Sequence, residues 1–237
     1  MKRVIAIDGP SGAGKSTIAK LVASELGFSY LDTGALYRAV ALNLVKLGLD
    51  EKASDNEISS ALERITVDFA EGKVFLNGTD VSEEIRSPEA GHYASVFSAR
   101  GPVRRHLLDI QRNAAMRSDL VAEGRDMTTV VFPGAYRKIY LDASVEERAR
   151  RRTLELIAKG VKTDPATVRL DIIGRDKRDS GRDIAPLKKA TDAFVIDSTG
   201  LSIDDVLKKI TDIVRKKAEV AGGKPEEGLP AYRRREE

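Results

Sequence analysis

Val4-Ile5-Ala6-Ile7-Asp8-Gly9-Pro10-Ser11-Gly12-Ala13-Gly14-Lys15-Ser16-Thr17 is the stretch on which the reading of the whole chain turns. It begins with a short apolar run, residues 4–7, closed by Gly9-Pro10, as in a strand buried on both faces of a parallel sheet. After Lys15 the apolar residues Ile18, Leu21, Val22 and Leu26 recur at helical spacing, and Gly27 supplies a stop. Between strand and helix stand a glycine, four residues, then Gly-Lys-Ser, the spacing of a phosphate-binding loop. Glycines let backbone N–H groups turn inward around a phosphate with no side chain in the way. Lys15 can reach the β- and γ-phosphates, the Ser16 hydroxyl can ligate Mg2+, and the helix directs its positive end at the anion. Gly9, Pro10, Ser11, Gly12, Ala13, Gly14, Lys15, Ser16 and Thr17 are therefore the expected ATP-binding residues, with Lys15 a catalytic charge and Ser16 the metal ligand.

Outward from that loop, residues 28–31 predict a second strand. Asp32-Thr33-Gly34 then turns the chain into a helix with Leu36, Val40, Leu44 and Leu47 on one face, ended by Gly48. Strand then helix, twice, is the rhythm of a parallel sheet covered by helices. The pattern changes where a helical segment carrying Ile58, Leu62 and Ile65 leads into short strands over 66–69 and 74–76. Asn77-Gly78 is a strong hairpin signal, so residues 63–100 predict a small antiparallel sheet inserted into the core.

Val103, Leu107, Ile110 and Ala114 mark a further helix, and the parallel core resumes with strands over 119–122 and 138–141. Ser144 and Glu147 form a capping-box signature for a helix to about Lys159, and Asp164-Pro165 opens the next. Residues 174–185 are too polar for a core and predict a mobile charged lid, the lid as a whole spanning 160–186. A last strand over 193–196 precedes a helix capped by Ser202 and Asp205, with Ile203, Val206, Ile210 and Ile213 as its apolar stripe. One unit over 1–217 and a disordered tail over 218–237 are expected.

The 237 residues suit one large α/β domain. With 41% hydrophobic and 32% charged residues the chain is too polar for a membrane protein. No run approaches the ~20 apolar residues of a spanning helix, and the opening Met1-Lys2-Arg3 precedes too short an apolar run for a signal peptide. The absence of cysteine excludes disulfide and thiolate chemistry. A cytoplasmic location is expected. Basic residues are interleaved with acidic ones, so the net charge of +3 reads as a mixed surface, with neither nucleic acid nor membrane as partner. An RNA-associated ATP-binding protein using Arg233-Arg234-Arg235 is disfavoured by Glu226, Glu227, Glu236 and Glu237 and by the lack of an aromatic platform.

No Asn-Lys-x-Asp string for guanine occurs, and a motor or transport ATPase would need many more residues, so a small-molecule kinase fits best. An alcohol acceptor would need a base to take its proton. A phosphate monoester, whose second pKa is about 6, is already largely ionised and needs positive charge instead. Arg38, Arg104, Arg125, Arg175, Arg178 and Arg182, most of them expected outside regular helix faces or beside turns, can supply it, because arginine's planar fork grips a phosphate with two bonds. Arg125 stands out, since Gly124-Arg125-Asp126 directly follows a core strand, where sites on parallel sheets are built. His92 and His106 lack companions at ligand spacing. These observations leave open a kinase for any nucleoside monophosphate or for a small metabolite.

Longer strings narrow the choice. Ile7 to Ser16, Leu31-Asp32-Thr33-Gly34-Ala35-Leu36-Tyr37-Arg38, Glu123-Gly124-Arg125-Asp126-Met127, Phe132-Pro133, Leu141-Asp142-Ala143-Ser144, Arg175-Asp176 and Arg182-Asp183-Ile184-Ala185-Pro186-Leu187 follow in the order of bacterial cytidylate kinases, which the chain resembles over residues 2 to about 217. The resemblance implies a phosphate-loop core with a nucleoside-monophosphate-binding insertion and a lid. It implies transfer of the γ-phosphoryl group of ATP to CMP or dCMP with Mg2+. It implies that Arg38 and Arg125 hold the CMP phosphate and count with Lys15 as catalytic. Ser95, Arg104, Asp126 and Arg182 would read cytosine, and Arg175 and Asp179 would contact the sugar. Thr33, a substrate-site residue, stands where the family often has serine, and Thr128 where glycine is common. The chain is expected to act as a monomer.

Overall fold

A computed structural model describes residues 2–70 and 72–216. Val4–Asp8 forms β1, its run of aliphatic residues buried at every position, and Lys15–Leu26 forms α1. There follow β2 (Ser29–Asp32), α2 (Thr33–Lys46), α3 (Asp55–Leu62), β3 (Val67–Ala70), β4 (Lys73–Leu76), β5 (Thr79–Asp80), α4 (Pro88–Phe97), α5 (Gly101–Arg117) and β6 (Leu120–Gly124). The second half comprises a single wide π-helical turn (Met127–Val131), β7 (Arg137–Asp142), α6 (Val145–Ala158), α7 (Pro165–Gly181), β8 (Phe194–Asp197) and α8 (Ile203–Arg215). Five strands pair in parallel in the order β2-β6-β1-β7-β8. The expected α/β architecture, a parallel sheet flanked by helices with a small antiparallel sheet inserted, is thus present.

Alternation along β1 divides the core. Ile5 and Ile7 pack with Ile18, Val22, Ile210 and Val214 of α1 and α8, whereas Val4 and Ala6 join Leu36, Val40, Leu44 and Leu107 of α2 and α5. All five parallel strands carry an acidic residue at or next to their carboxyl end: Asp8, Asp32, Glu123, Asp142 and Asp197. Open α/β sheets bind ligands at that edge.

The inserted sheet has the order β3-β4-β5. Asn77 and Gly78, with φ of 49° and 79°, are both left-handed, as the tight turn between β4 and β5 requires. Val67, Val74 and Leu76 share one apolar cluster with Leu36, Val40 and Phe97, so the insertion is packed onto α2 rather than built around a core of its own.

Three expectations are corrected. Residues 174–181 are the last turns of α7 rather than an irregular segment, and Asp179 within them is buried, because their charges pair with other charges instead of water. Arg38, Arg104, Arg175 and Arg178 lie within α2, α5 and α7, so most of the singled-out arginines are on helices, aimed inward by the fold. The capping box of α6 is half formed: Ser144 Oγ accepts from Glu147 N at 3.2 Å, but the Glu147 carboxylate is taken by Arg150 and Arg151. A complete capping box that the sequence reading passed over, Ser54 with Glu57, opens α3. The expected tail over 218–237 lies outside the described residues.

Candidate active site

A cleft of about 800 Å³ opens at the carboxyl ends of the parallel strands. One end is the loop between β1 and α1. A Cβ on Gly9 would lie 1.9 Å from the Leu141 carbonyl oxygen, so only glycine lets β1 leave the sheet there. Gly14 caps α1 with φ of 90°, in the left-handed region that favours glycine. Lys15 is buried, and its Nζ donates to the Pro10 carbonyl at 2.7 Å. Burial and the nearby Arg125 push its pKa down to about 7. Such a lysine is a charge waiting for an anion.

Ser16 Oγ donates to Glu123 Oε1 at 2.6 Å, and Tyr30 OH reaches the same oxygen at 3.3 Å. Burial, reinforced by Asp32, pushes the Glu123 carboxyl up. Among the described residues no group of three or more His, Cys, Asp or Glu is arranged to hold a metal ion. Mg2+ in phosphoryl-transfer sites keeps several waters and takes phosphate oxygens, so a hydroxyl with one carboxylate behind it fits what the protein must contribute. Ser16 and Glu123 supply that pair. Ser11 N donates to Asp176 Oδ1 at 3.1 Å, and Arg148 bridges Asp176 to the Ser11 carbonyl.

The other end of the cleft holds the arginines. Arg38 is paired with Asp32 at 3.0 Å, and Arg125 Nε donates to Asp179 Oδ2 at 2.8 Å. Arg175 is pushed down to about 10, chiefly by burial and then by Arg125. Arg104 forms an ion pair with Asp126 and donates to the Ser98 carbonyl, while Arg182 Nε donates to the Ala185 carbonyl at 2.6 Å. Ser95 Oγ accepts from Arg178 Nε at 3.3 Å. Among the described residues three buried guanidinium nitrogens, Arg38 Nε, Arg175 Nε and one terminal nitrogen of Arg182, have no hydrogen-bond partner, the last lying 3.9 Å from Asp126 Oδ1 as an ion pair. Buried donors are rarely left so.

Lys15, Ser16, Thr17, Arg38, Ser95, Arg104, Arg125, Asp126, Arg175, Asp179 and Arg182 all line this cleft, as do Thr33 and the loop from Ser11 to Gly14. Gly9 and Pro10 are not among its lining residues. The Thr33 hydroxyl donates to the Glu123 carbonyl at 2.7 Å, which ties α2 to β6.

The family model for cytidylate kinase matches residues 5–216. The chain belongs to the cytidylate kinase family. It is 50% identical over 216 residues to a cytidylate kinase of Thermosipho melanesiensis, an alignment covering 91% of this chain and 98% of that one. It is 49% identical to that of Thermodesulfovibrio yellowstonii, covering 93% and 100%, and 47% identical to that of Thermotoga maritima, covering 90% and 97%. Like them, it is an ATP-dependent phosphotransferase.

In this member of the cytidylate kinase family, Asp8, Glu123, Arg148 and Asp176 were missed by the sequence reading. For Asp8 and Glu123 a signal existed, since each closes a strand that feeds the site. Asp176 stands in the Arg175-Asp176 string of the resemblance, but its pairing with Arg148 has no local signal, because the two meet only through the packing of α6 against α7.

Proposed function

We propose that this chain transfers the γ-phosphoryl group of ATP to CMP or dCMP, giving ADP and CDP or dCDP, with Lys15, Arg38 and Arg125 neutralising the phosphates. The observation that supports this most is the set of guanidinium nitrogens without a hydrogen bond on Arg38, Arg175 and Arg182, three arginines that line one cleft with a phosphate loop. The acceptor phosphate is a dianion near neutral pH and needs no base. Charge neutralisation and alignment do the work. Arg38 and the outer edge of Arg125 grip the acceptor phosphate, and Lys15 follows charge as it develops on the bridging and terminal oxygens of the donor. Mg2+, held through Ser16 with Glu123 behind it, supplies further charge neutralisation on the phosphates when bound.

Asp126 accepts from the cytosine amino group, while Arg104, Arg182 and Ser95 complement its ring acceptors. Arg175 and Asp179 face the sugar. The chain works as a cytoplasmic monomer without nucleic acid or membrane partners, and the interleaving of its basic and acidic residues speaks against nucleic acid. Among the described residues no helix is long and apolar enough to cross a membrane. The test is an acceptor panel of CMP, dCMP, UMP and AMP with ATP and Mg2+, with products separated by chromatography. ADP with CDP or dCDP as the main pair is expected; a faster reaction with UMP or AMP contradicts the assignment.

A further inference from the structure

Asp126 occupies the residue before the π-helical turn Met127–Val131, where an aspartate would ordinarily fold back to cap the first free amides. It makes no such bond. The free amides are taken instead by a residue of another strand. Asp8 Oδ1 accepts from Met127 N at 2.9 Å, and Asp8 Oδ2 accepts from Thr128 N at 2.8 Å and from Thr128 Oγ1 at 2.6 Å. The parallel register that sets Asp8 opposite Gly124 brings β1 to this turn. Asp8, Met127 and Thr128 are all fully buried, so no water can replace these bonds.

We propose that Asp8 is a positioning residue for acceptor recognition: by capping the turn from β1, it leaves the carboxylate of Asp126 free to face Arg104 and Arg182. Thr128, through its hydroxyl, holds Asp8 in that role. The inference rests on the reading of Asp126 as the group that recognises the base. Loss of the Asp8 carboxylate would leave those amides, one and two residues after Asp126, uncapped, and Asp126 would turn inward to them. Arg104 would then lose its partner, and the pocket its acceptor for the amino group.

Asp8 also precedes the phosphate loop directly, so a defect in packing alone would disturb ATP as much as CMP. Positioning of Asp126 predicts a different split. For Asp8→Asn the KM for CMP is expected to rise roughly tenfold, with the KM for ATP within about twofold of wild type. The ratio of specificity constants for CMP over UMP is expected to narrow by about threefold or more. Thr128→Val should move both quantities in the same direction by less, and Thr128→Ser should restore them.

Asp126→Asn, measured alongside, separates the two readings. If it shifts the CMP to UMP ratio while Asp8→Asn and Thr128→Val do not, the positioning role is wrong and the base-reading role stands. If it too leaves the ratio unchanged, the base-reading role fails and the inference with it. An equal rise in the KM for ATP and for CMP in Asp8→Asn also overturns the proposal. Should Asp8→Asn fail to fold, the contrast between Thr128→Val and Thr128→Ser decides.

Discussion

Arg125 Nε donates to Asp179 Oδ2 at 2.8 Å, joining the chain just beyond β6 to the last turn of α7. Both side chains are largely buried, and the next polar contact of Asp179, from Leu187 N to its carbonyl, secures the segment after α7. Removing one partner of such a pair strands the other charge, which costs about 3 kcal/mol. Asp179→Ala is therefore expected to lower unfolding stability by about that amount in urea denaturation and to raise the KM for CMP. Burial opposes ionisation of Asp179, yet Arg125 and Arg175 hold its carboxyl below the ordinary range. The pair's stabilisation is thus fully present above an unfolded carboxyl value of about 4 and is lost as pH falls through the lower folded value. A variant as stable as wild type at neutral pH contradicts this.

The depressed pKa of Lys15, at about 7, has a calorimetric signature. At pH 8 much of the free protein holds Lys15 neutral, and a polyphosphate beside Nζ restores its charge. ATP binding should then take up close to one proton, read from titrations in two buffers of different ionisation enthalpy. Lys15→Met should abolish the buffer dependence, and its persistence would place the proton elsewhere. Lys15→Ala should lower turnover by at least ~10²-fold, since charge-stabilising groups of this kind contribute several kcal/mol.

Arg38 and Arg125 each have one nitrogen committed to an aspartate, Asp32 and Asp179 respectively. Arg125 also donates from a terminal nitrogen to the Gly124 carbonyl at 3.2 Å, and under the proposed function the donors left over on both arginines serve the acceptor phosphate. Arg38→Ala and Arg125→Ala should each raise the KM for CMP by roughly tenfold or more, with the KM for ATP nearly unchanged. Arg125→Ala should also lift the pKa of Lys15, because Arg125 is the principal neighbouring charge that depresses it. Equal loss of ATP affinity in both variants contradicts their place on the acceptor side.

The sequence made legible what local spacing encodes. The phosphate loop depends on residues within one turn, so Gly9 to Ser16 could be read without tertiary information. The Asn77-Gly78 turn is equally local, and both residues adopt the left-handed conformation that their identities favour. Polarity misled at α7, because Asp176 and Asp179 are polar in sequence but paired with Arg148 and Arg125 in space. That Asp8 closes a strand feeding the site is a local signal, but its capping role is not: its partners lie 119 and 120 residues away and meet it only through the register of β1 with β6. Thr128, an unexplained departure from the family's glycine in sequence, has an evident use once its hydroxyl is seen 2.6 Å from Asp8 Oδ2.

Recognition of cytosine in this cleft is tested by the ratio of specificity constants for CMP and UMP, measured with saturating ATP and Mg2+. With Asp126 and the arginines reading the base as proposed, uracil would present a carbonyl to Asp126 and a ring N–H to the arginines, so both partners would meet the wrong polarity. Loss of a charge-assisted bond with added repulsion costs about 2–5 kcal/mol, each 1.4 kcal/mol being about tenfold. The expected ratio is roughly 30 or more in favour of CMP, narrowing in Asp126→Asn. A ratio near one in the wild-type protein would contradict the account.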